Sequence, residues 1–268
     1  MEILNILALP FLACLLIILI HAYFGVHILQ RGIIFVDLAL AQFIGIGIAL
    51  SFLLGEEHGT MLALVFAMMG AFILSLSKRV ARLVNIEAFI GVLYIFSVST
   101  AILILDKTPH GLEEFKTILN GNIIWVTPRE LFSTFLLYAA IGGLHFFLRR
   151  QFLALTYEGR GTAFVEFLFF ATFALVLVKS VRMAGILQVF SFLVIPALIG
   201  RLFSLKPFTV LMIGWVAGVL ITVAGIAISF KMDMPTAPVI VAGLALTFFT
   251  LLMIRAVFRP QAQRAEIV

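Results

Sequence analysis

Long apolar runs, separated by short polar segments, follow one another from end to end of the chain. Since about 20 apolar residues cross a membrane as a helix, they predict an all-α integral membrane protein. The first run is too long for a secretory signal and is expected to remain as a span. We predict nine spans, with eight as the alternative count, near residues 3–28, 33–54, 61–77, 86–105, 130–148, 163–179, 183–203, 208–229 and 237–256.

The composition supports this pattern. The chain has 268 residues, of which 63% are hydrophobic and only 12% are charged, whereas soluble domains carry about 25% charged residues. No tract is long enough to form a separate soluble domain, so we expect a single polytopic membrane domain over residues 1–268. The net charge of +5 is expected to report membrane topology and not a nucleic-acid partner. The single cysteine, Cys14, excludes an intrachain disulfide.

Basic residues are distributed unequally between the two sets of loops. One set holds 12 Lys and Arg residues and the other holds 6. Because cytoplasmic loops are enriched in Lys and Arg, the richer set is predicted to be cytoplasmic, with the amino terminus outside and the carboxyl terminus inside. The richer set comprises Arg31, Lys78, Arg79, Arg82, Arg149, Arg150, Arg160, Arg201, Lys206, Arg255, Arg259 and Arg264.

A few polar groups interrupt the predicted spans. Asp37 is the most informative, because its neighbours are apolar or small and an ionisable group at membrane depth is a functional-site hypothesis by default. Gln42 lies on the same predicted helix, about 140° around its axis from Asp37, so a site would have to combine several helices or two copies of one helix. The other polar groups at membrane depth or its edge are His21, His27, Glu87, Tyr94, Glu130, His145 and Glu166.

Carboxylate, imidazole and amide groups together can hold a divalent first-row metal in transit. We therefore predict that Asp37, Gln42, His21, His27 and Glu87 form a metal pathway, with Asp37 and Gln42 lining a constriction at a dimer interface. The transported ion would be Zn²⁺ or Mn²⁺, with Fe²⁺ as a further candidate, and no permanently bound cofactor is expected. For each histidine alone, a structural hydrogen bond is the competing interpretation.

Two loops and two helix motifs complete the pattern. The outer segment 106–130 contains a short amphipathic helix near residues 112–119 and carries His110 and Glu113, which we predict as a metal entry point; a solvated cap is the alternative. The inner segment 149–162 mixes charged and apolar residues, as helices lying at a membrane surface do.

Pro196 is predicted to kink the seventh span, and Gly214 and Gly218 form a GxxxG motif that permits close helix packing.

Enzyme motifs are missing from the sequence. It has no GxxxxGK[ST] nucleotide-binding loop, no HExxH and no GxSxG. A proton-coupled secondary carrier that uses Asp37 or Glu166, and an intramembrane enzyme with acidic catalytic residues, remain as alternative functions.

Three stretches resemble the permease subunits of bacterial ABC importers for zinc, manganese and iron(II). They read LQRGIIFVDLALAQFIGIG, LNGNIIWVTPREL and MAGILQVFSFLVIPALIGRLF, and DMPTAPVIV follows where the family has a related proline-containing stretch. In the first, Asp37 matches the family aspartate when counted from Arg31, but Ala41 stands where the family typically has histidine. The segment between Leu155 and Gly185 is also shorter than the family's usual coupling region.

The resemblance implies a set of partners and a location. These are a second permease copy in a homodimer or heterodimer, cytoplasmic ABC ATPase subunits, an extracytoplasmic metal-binding protein, and the bilayer of the bacterial cytoplasmic membrane. It also implies that Thr156, Tyr157, Glu158 and Gly159 form the loop that couples to the ATPase.

Overall fold

A computed structural model describes residues 2–55, 59–81, 83–121 and 123–258. This part of the chain consists of helices joined by short connecting segments and contains no strand, which confirms the predicted all-α membrane fold. Its eleven α-helices are α1 Glu2–Arg31, α2 Val36–Leu53, α3 Gly59–Ser75, α4 Ser77–Val80, α5 Ile86–Leu105, α6 Gly111–Asn120, α7 Pro128–Phe147, α8 Arg149–Tyr157, α9 Ala163–Phe203, α10 Pro207–Met232 and α11 Thr236–Phe258.

Seven of these helices are long and apolar enough to cross a membrane, and α3 is a shorter apolar helix of 17 residues. Helix α9 has 41 residues, which at 1.5 Å per residue would span about 60 Å, twice the hydrocarbon core. It cannot be one straight crossing. Gly185 interrupts it with φ 75° and ψ 163°, a backbone conformation that favours glycine.

Contacts with α1 give the direction of the two halves of α9. In the first half of α9, residue numbers fall as those of their contacts on α1 rise, so this half is antiparallel to α1. In the second half both rise together, so this half is parallel to α1, and α9 folds back at Gly185. The predicted sixth and seventh spans are therefore separate segments, so the described residues contain eight long apolar segments and the shorter apolar helix α3. The pairs are His21 with Phe173, His27 with Phe169 and Arg31 with Glu166 in the first half, and Cys14 with Gln188, Gly25 with Leu193 and Gln30 with Arg201 in the second.

The fold-back is held by α6, which lies against it. Gly121 and Gly185 both have positive φ values. A Cβ atom on Gly121 would lie 2.2 Å from the Ala184 carbonyl carbon, and a Cβ on Gly185 would lie 2.3 Å from the Asn120 carbonyl carbon. Only glycine at both positions allows this backbone contact, which fixes the amphipathic helix α6 onto the middle of α9.

Helices α1 and α9 form the centre of the molecule. Helix α9 packs against α1, α3, α10 and α11, and α2 is covered by α3 and α5. Buried phenylalanines fill the junction of α1, α8 and α9; they are Phe24, Phe152, Phe169, Phe170 and Phe173. Helices that are hydrophobic all round can be buried in this way.

The loops rich in Lys and Arg and the loops poor in them lie at opposite ends of the bundle. Arg31 meets Glu166, and Arg255 lies over Phe203 at the same end. At the opposite end Arg182 donates to Thr60. The orientation of these ends in the membrane stays a prediction. Arg82, Arg259 and Arg264 lie outside the described residues, as do the side chains of Lys78 and Arg79.

Pro196 lies in the second half of α9. The non-helical residue within α9 is Gly185, 11 positions earlier, and the kink predicted at Pro196 stays a prediction. The GxxxG motif of α10 packs onto this proline: a Cβ on Gly214 would lie 2.8 Å from the Pro196 carbonyl oxygen, and one on Gly218 would lie 3.5 Å from Pro196 Cγ. The motif therefore serves packing within the chain.

Candidate functional site

Asp37 lies in the first turn of α2, where its side chain is fully enclosed. Its relative exposure is 0%, and neither carboxylate oxygen has a hydrogen-bond partner among the described residues. Burying a carboxylate without compensation is costly. Asp37 is therefore a buried acidic group whose oxygens are left unsatisfied by the part of the chain that the structure describes.

Helix α2 owes this enclosure to close packing with its neighbours. The face of α3 turned inward is built of small residues, Ala63, Ala67, Gly70 and Ala71. A Cβ on Gly47 of α2 would lie 2.6 Å from the Leu62 carbonyl oxygen. The small residues let the two helices approach closely and exclude water from α2.

Gln42 is also buried, with 2% of its side chain exposed. Its Oε1 lies beside Gly45, 3.6 Å from where a Cβ would stand. The structure therefore encloses both Asp37 and Gln42 within a single chain, where the sequence led us to expect them on a surface facing a second copy. The difference arises because α3 and α5 cover α2.

Glu87 lies in the first turn of α5, at the same end of the bundle as Asp37. The Phe35 backbone N–H, at the N-cap of α2, donates to Glu87 Oε1 over 3.4 Å. Glu87 Oε2 is buried and has no hydrogen-bond partner among the described residues. Asp37 and Glu87, two acidic side chains with unsatisfied oxygens, thus both lie near the amino-terminal end of α2.

The histidines of α1 lie elsewhere. His21 Nδ1 donates to the Ile17 carbonyl oxygen over 2.9 Å, while its buried Nε2 has no partner in the described part of the chain. His27 Nδ1 lies 2.7 Å from Thr156 Oγ1. Within the described residues, no three His, Cys, Asp or Glu side chains are grouped as a metal site. The predicted set of five is therefore not assembled in this conformation.

A polar cluster that the sequence did not reveal joins α1, α7 and α9. His145 Nδ1 lies 3.0 Å from the Tyr23 hydroxyl, and His145 Nε2 lies 2.8 Å from Thr172 Oγ1. The His145 ring stacks on Phe152 with 4.1 Å between centroids. Both ring nitrogens are engaged, so this histidine has a structural role. The only sequence signal for it was a histidine at membrane depth.

Arg31 and Glu166 form an ion pair that the sequence also left unassigned. Their side chains are 10% and 2% exposed, and the Arg31 guanidinium lies over the rings of Phe169 and Phe170 at 5.4 and 5.0 Å. The pair ties the end of α1 to the beginning of α9. Glu166 is thereby an ion-paired residue of the helix junction.

Glu130 also has a structural assignment. It forms a capping box with Thr127 at the start of α7: the Thr127 N–H donates to Glu130 Oε2 at 3.0 Å, and the Glu130 N–H donates to Thr127 Oγ1 at 3.2 Å. Such boxes satisfy the free N–H groups of a helix start.

His110 and Glu113 lie together at the beginning of α6. His110 Nδ1 is 3.5 Å from Glu113 Oε2, and both side chains are more than three-quarters exposed. They line a cavity of about 390 Å³ that also includes Asp106. The structure brings the two predicted entry residues into contact on an open surface.

The predicted coupling residues divide between the interior and the surface. Thr156 is buried and bonded to His27, whereas Tyr157 and Glu158 are exposed at the end of α8. Partial burial raises the pKa of the Tyr157 hydroxyl, against the opposing effect of Arg201, so the hydroxyl is neutral at pH 7. Gly159 has a φ of 66° and ends the helix. Helix α8 therefore presents an exposed edge while Thr156 anchors it to α1.

The comparisons with known proteins agree with this architecture. The sequence pattern of the ABC 3 transport family matches residues 4–255. A Chlamydia pneumoniae protein named "Probable metal transport system membrane protein" is 26% identical over 88% of this chain and 84% of its own length. The Synechocystis "Manganese transport system membrane protein MntB" is 29% identical over 63% of this chain and 57% of its own length.

A solved structure shares the fold. PsaBC from Streptococcus pneumoniae in complex with Fab contains a chain that superposes with a TM-score of 0.76 at 21% identity, covering 97% of this chain and 94% of its own. The chain described here belongs to the ABC 3 transport family, the metal ABC permease family that its sequence resembles, and it is a multi-pass membrane permease subunit and not an enzyme.

Proposed function

We propose that the chain is the membrane-spanning half of an ATP-driven importer for a divalent transition metal, Mn²⁺ or Zn²⁺, with Fe²⁺ as a further candidate. In this proposal two permease copies, homo- or heterodimeric, work with cytoplasmic ABC ATPase subunits and an extracytoplasmic metal-binding protein in the bacterial cytoplasmic membrane. The proposal rests on family membership and on the enclosed carboxylate of Asp37.

Asp37 is the observation that carries the proposal. Burying an ionised carboxylate without a partner is costly, and no hydrogen bond from the described residues offsets that cost here. A passing divalent cation would offset it. Binding of the ion would then favour a conformation in which α2 is open and Asp37 is accessible. The structure described here, with Asp37 enclosed, would be the closed state of the pathway.

Glu87 and Gln42 extend the proposed site. Glu87 has one unsatisfied oxygen at the same end of α2, and Gln42 supplies an amide oxygen farther along the helix. Oxygen ligands suit manganese, whereas imidazole suits zinc. His21 and His27 are each held by a hydrogen bond on α1, so imidazole ligation would require those bonds to rearrange. The Synechocystis relative named as a manganese transport protein is consistent with the oxygen set.

Entry and coupling would occur at opposite ends of the bundle. His110 and Glu113 are exposed beside the outer cavity, where a metal-binding protein could release its ion. The exposed edge of α8 at Tyr157 and Glu158 would contact the ATPase. Because Thr156 joins α8 to His27 of α1, movement of α8 would be transmitted into the membrane domain.

Co-purification from mild detergent tests the proposal. We expect the tagged full-length chain to recover an ABC ATPase subunit, together with Mn or Zn that is lost in Asp37→Asn. The matched control is Asp233→Asn, because Asp233 is exposed and its φ of 50° is one that asparagine tolerates. Recovery of the chain alone, with no ATPase and no metal in either protein, would overturn the proposal in favour of a secondary carrier.

A further inference from the structure

A groove of about 440 Å³ runs along the outside of the bundle between α1, α7 and α10. Its volume falls within the range of ligand pockets, roughly 300–1,000 Å³. It extends along α7 from Phe135 to Phe146, which is about 17 Å of helix, and reaches Arg149 at the start of α8. This length is somewhat greater than one leaflet, half of the approximately 30 Å hydrocarbon core.

The groove exists because α7 has small residues at its floor. Ala139 and Gly142 line it, and a Cβ placed on Gly142 would meet no atom within 4 Å. Gly143 also has open space around it but does not line the groove. Substitutions at Gly142 and Gly143 can therefore be compared: the first fills the groove, and the second changes a glycine of α7 outside the groove.

The polar groups along the walls are bonded within the protein. The Tyr23 hydroxyl pairs with His145, the Tyr138 hydroxyl pairs with Ser180 at 2.5 Å, and Trp215 Nε1 donates to the Leu19 carbonyl at 3.0 Å. The walls consequently present aliphatic and aromatic surfaces to a bound molecule. An occupant that fits them must be apolar along this length.

Arg149 lies at the end of the groove next to the start of α8. Its guanidinium lies 4.7 Å from the Phe146 ring centroid, and it forms no ion pair with an acidic residue in the described part of the chain. It follows α7 directly, in the loop set predicted to be cytoplasmic. The groove thus combines a long apolar wall with an uncompensated positive charge at the membrane boundary.

We infer that this groove binds an anionic phospholipid of the bilayer, with an acyl chain along α7 and the headgroup phosphate on Arg149. Arginine matches phosphate oxygens geometrically as well as by charge. Anionic lipids are attracted to basic residues at the cytoplasmic surface. The lipid site is separate from Asp37 and does not depend on which metal, if any, the chain transports.

Native mass spectrometry of the full-length, delipidated chain tests the inference. The probes are phosphatidylglycerol and phosphatidylcholine with identical acyl chains. We expect phosphatidylglycerol to bind about fivefold more tightly. Arg149→Gln should remove that preference, whereas Arg149→Lys should retain most of it. Arg150→Gln is the matched control, because Arg150 is adjacent and basic but does not line the groove.

A second pair of variants tests the apolar part. Gly142→Leu should reduce the binding of both lipids, while Gly143→Leu should bind them as the unchanged chain does. Equal binding of the two lipids by the unchanged chain would overturn the inference. So would unaltered lipid binding in Gly142→Leu. Loss of self-association in Gly142→Leu with lipid binding intact would assign the groove to a second copy instead. Far-ultraviolet circular dichroism of each variant shows that the helices are intact.

Discussion

His27 Nδ1 and Thr156 Oγ1 lie 2.7 Å apart, and this contact joins a buried histidine of α1 to the surface helix α8. The two residues are 129 positions apart in the sequence. Thr156 is 8% exposed and His27 is 4% exposed. The helix proposed to meet the ATPase is thus bonded directly to the centre of the membrane domain.

Thr156→Val should weaken this connection. Valine keeps the shape but leaves the buried His27 nitrogen unsatisfied, which costs about 1–3 kcal/mol. We expect lower thermal stability in detergent and, in the reconstituted transporter, ATP hydrolysis that is less dependent on metal delivery. Thr250→Val is the matched control, because Thr250 is exposed and its hydroxyl donates to the Leu246 carbonyl on its own helix. Equal behaviour of the two variants would contradict the role of the His27 contact.

The contact between Gly121 and Gly185 leads to a second prediction. Gly185→Ala should destabilise the protein by more than about 2 kcal/mol, because the backbone conformation with φ 75° and ψ 163° costs a non-glycine residue about 1–3 kcal/mol and the alanine Cβ would also meet the Asn120 backbone. Gly91→Ala, at a helical glycine with open space around it, should be neutral or stabilising. Thermal unfolding followed by circular dichroism measures both. A Gly185→Ala protein as stable as Gly91→Ala would show that α6 does not rest on the fold-back of α9.

The ion pair of Arg31 and Glu166 gives a third prediction. Removing one partner of a buried pair costs about 3–5 kcal/mol, whereas removing both can be nearly neutral. Arg31→Gln should therefore lower the free energy of unfolding more than the double variant Arg31→Gln with Glu166→Gln does. A double-mutant cycle measures the coupling. Additive effects of the two substitutions would mean that the pair contributes no coupling between α1 and α9.

The sequence predicted the membrane segments well, because each depends on the length of a local apolar run. It separated 163–179 from 183–203, and the structure explains that separation by the fold-back at Gly185. It also located the amphipathic helix at 112–119, which the structure extends to Gly111–Asn120. Local composition is enough for both features.

Contacts between helices could not be predicted in the same way. Helices that are apolar all round have no polar face to indicate which neighbour they meet. The pairing of Arg31 with Glu166 and the inward direction of Thr156 depend on helix packing, and so does the enclosure of Asp37 by α3 and α5. The sequence identified Asp37 as an unusual residue, but only the structure shows that its carboxylate has no hydrogen-bond partner among the residues described.

The most direct test of the account is uptake of radiolabelled Mn²⁺ and Zn²⁺ by cells whose only importer contains this chain. With Asp37→Asn we expect uptake to fall at least tenfold at an unchanged protein level, which corresponds to a loss of about 1.4 kcal/mol, while Asp233→Asn transports normally. If Asp37→Asn transports both metals as well as Asp233→Asn does, the buried carboxylate is not on the transport pathway and the proposed site is wrong.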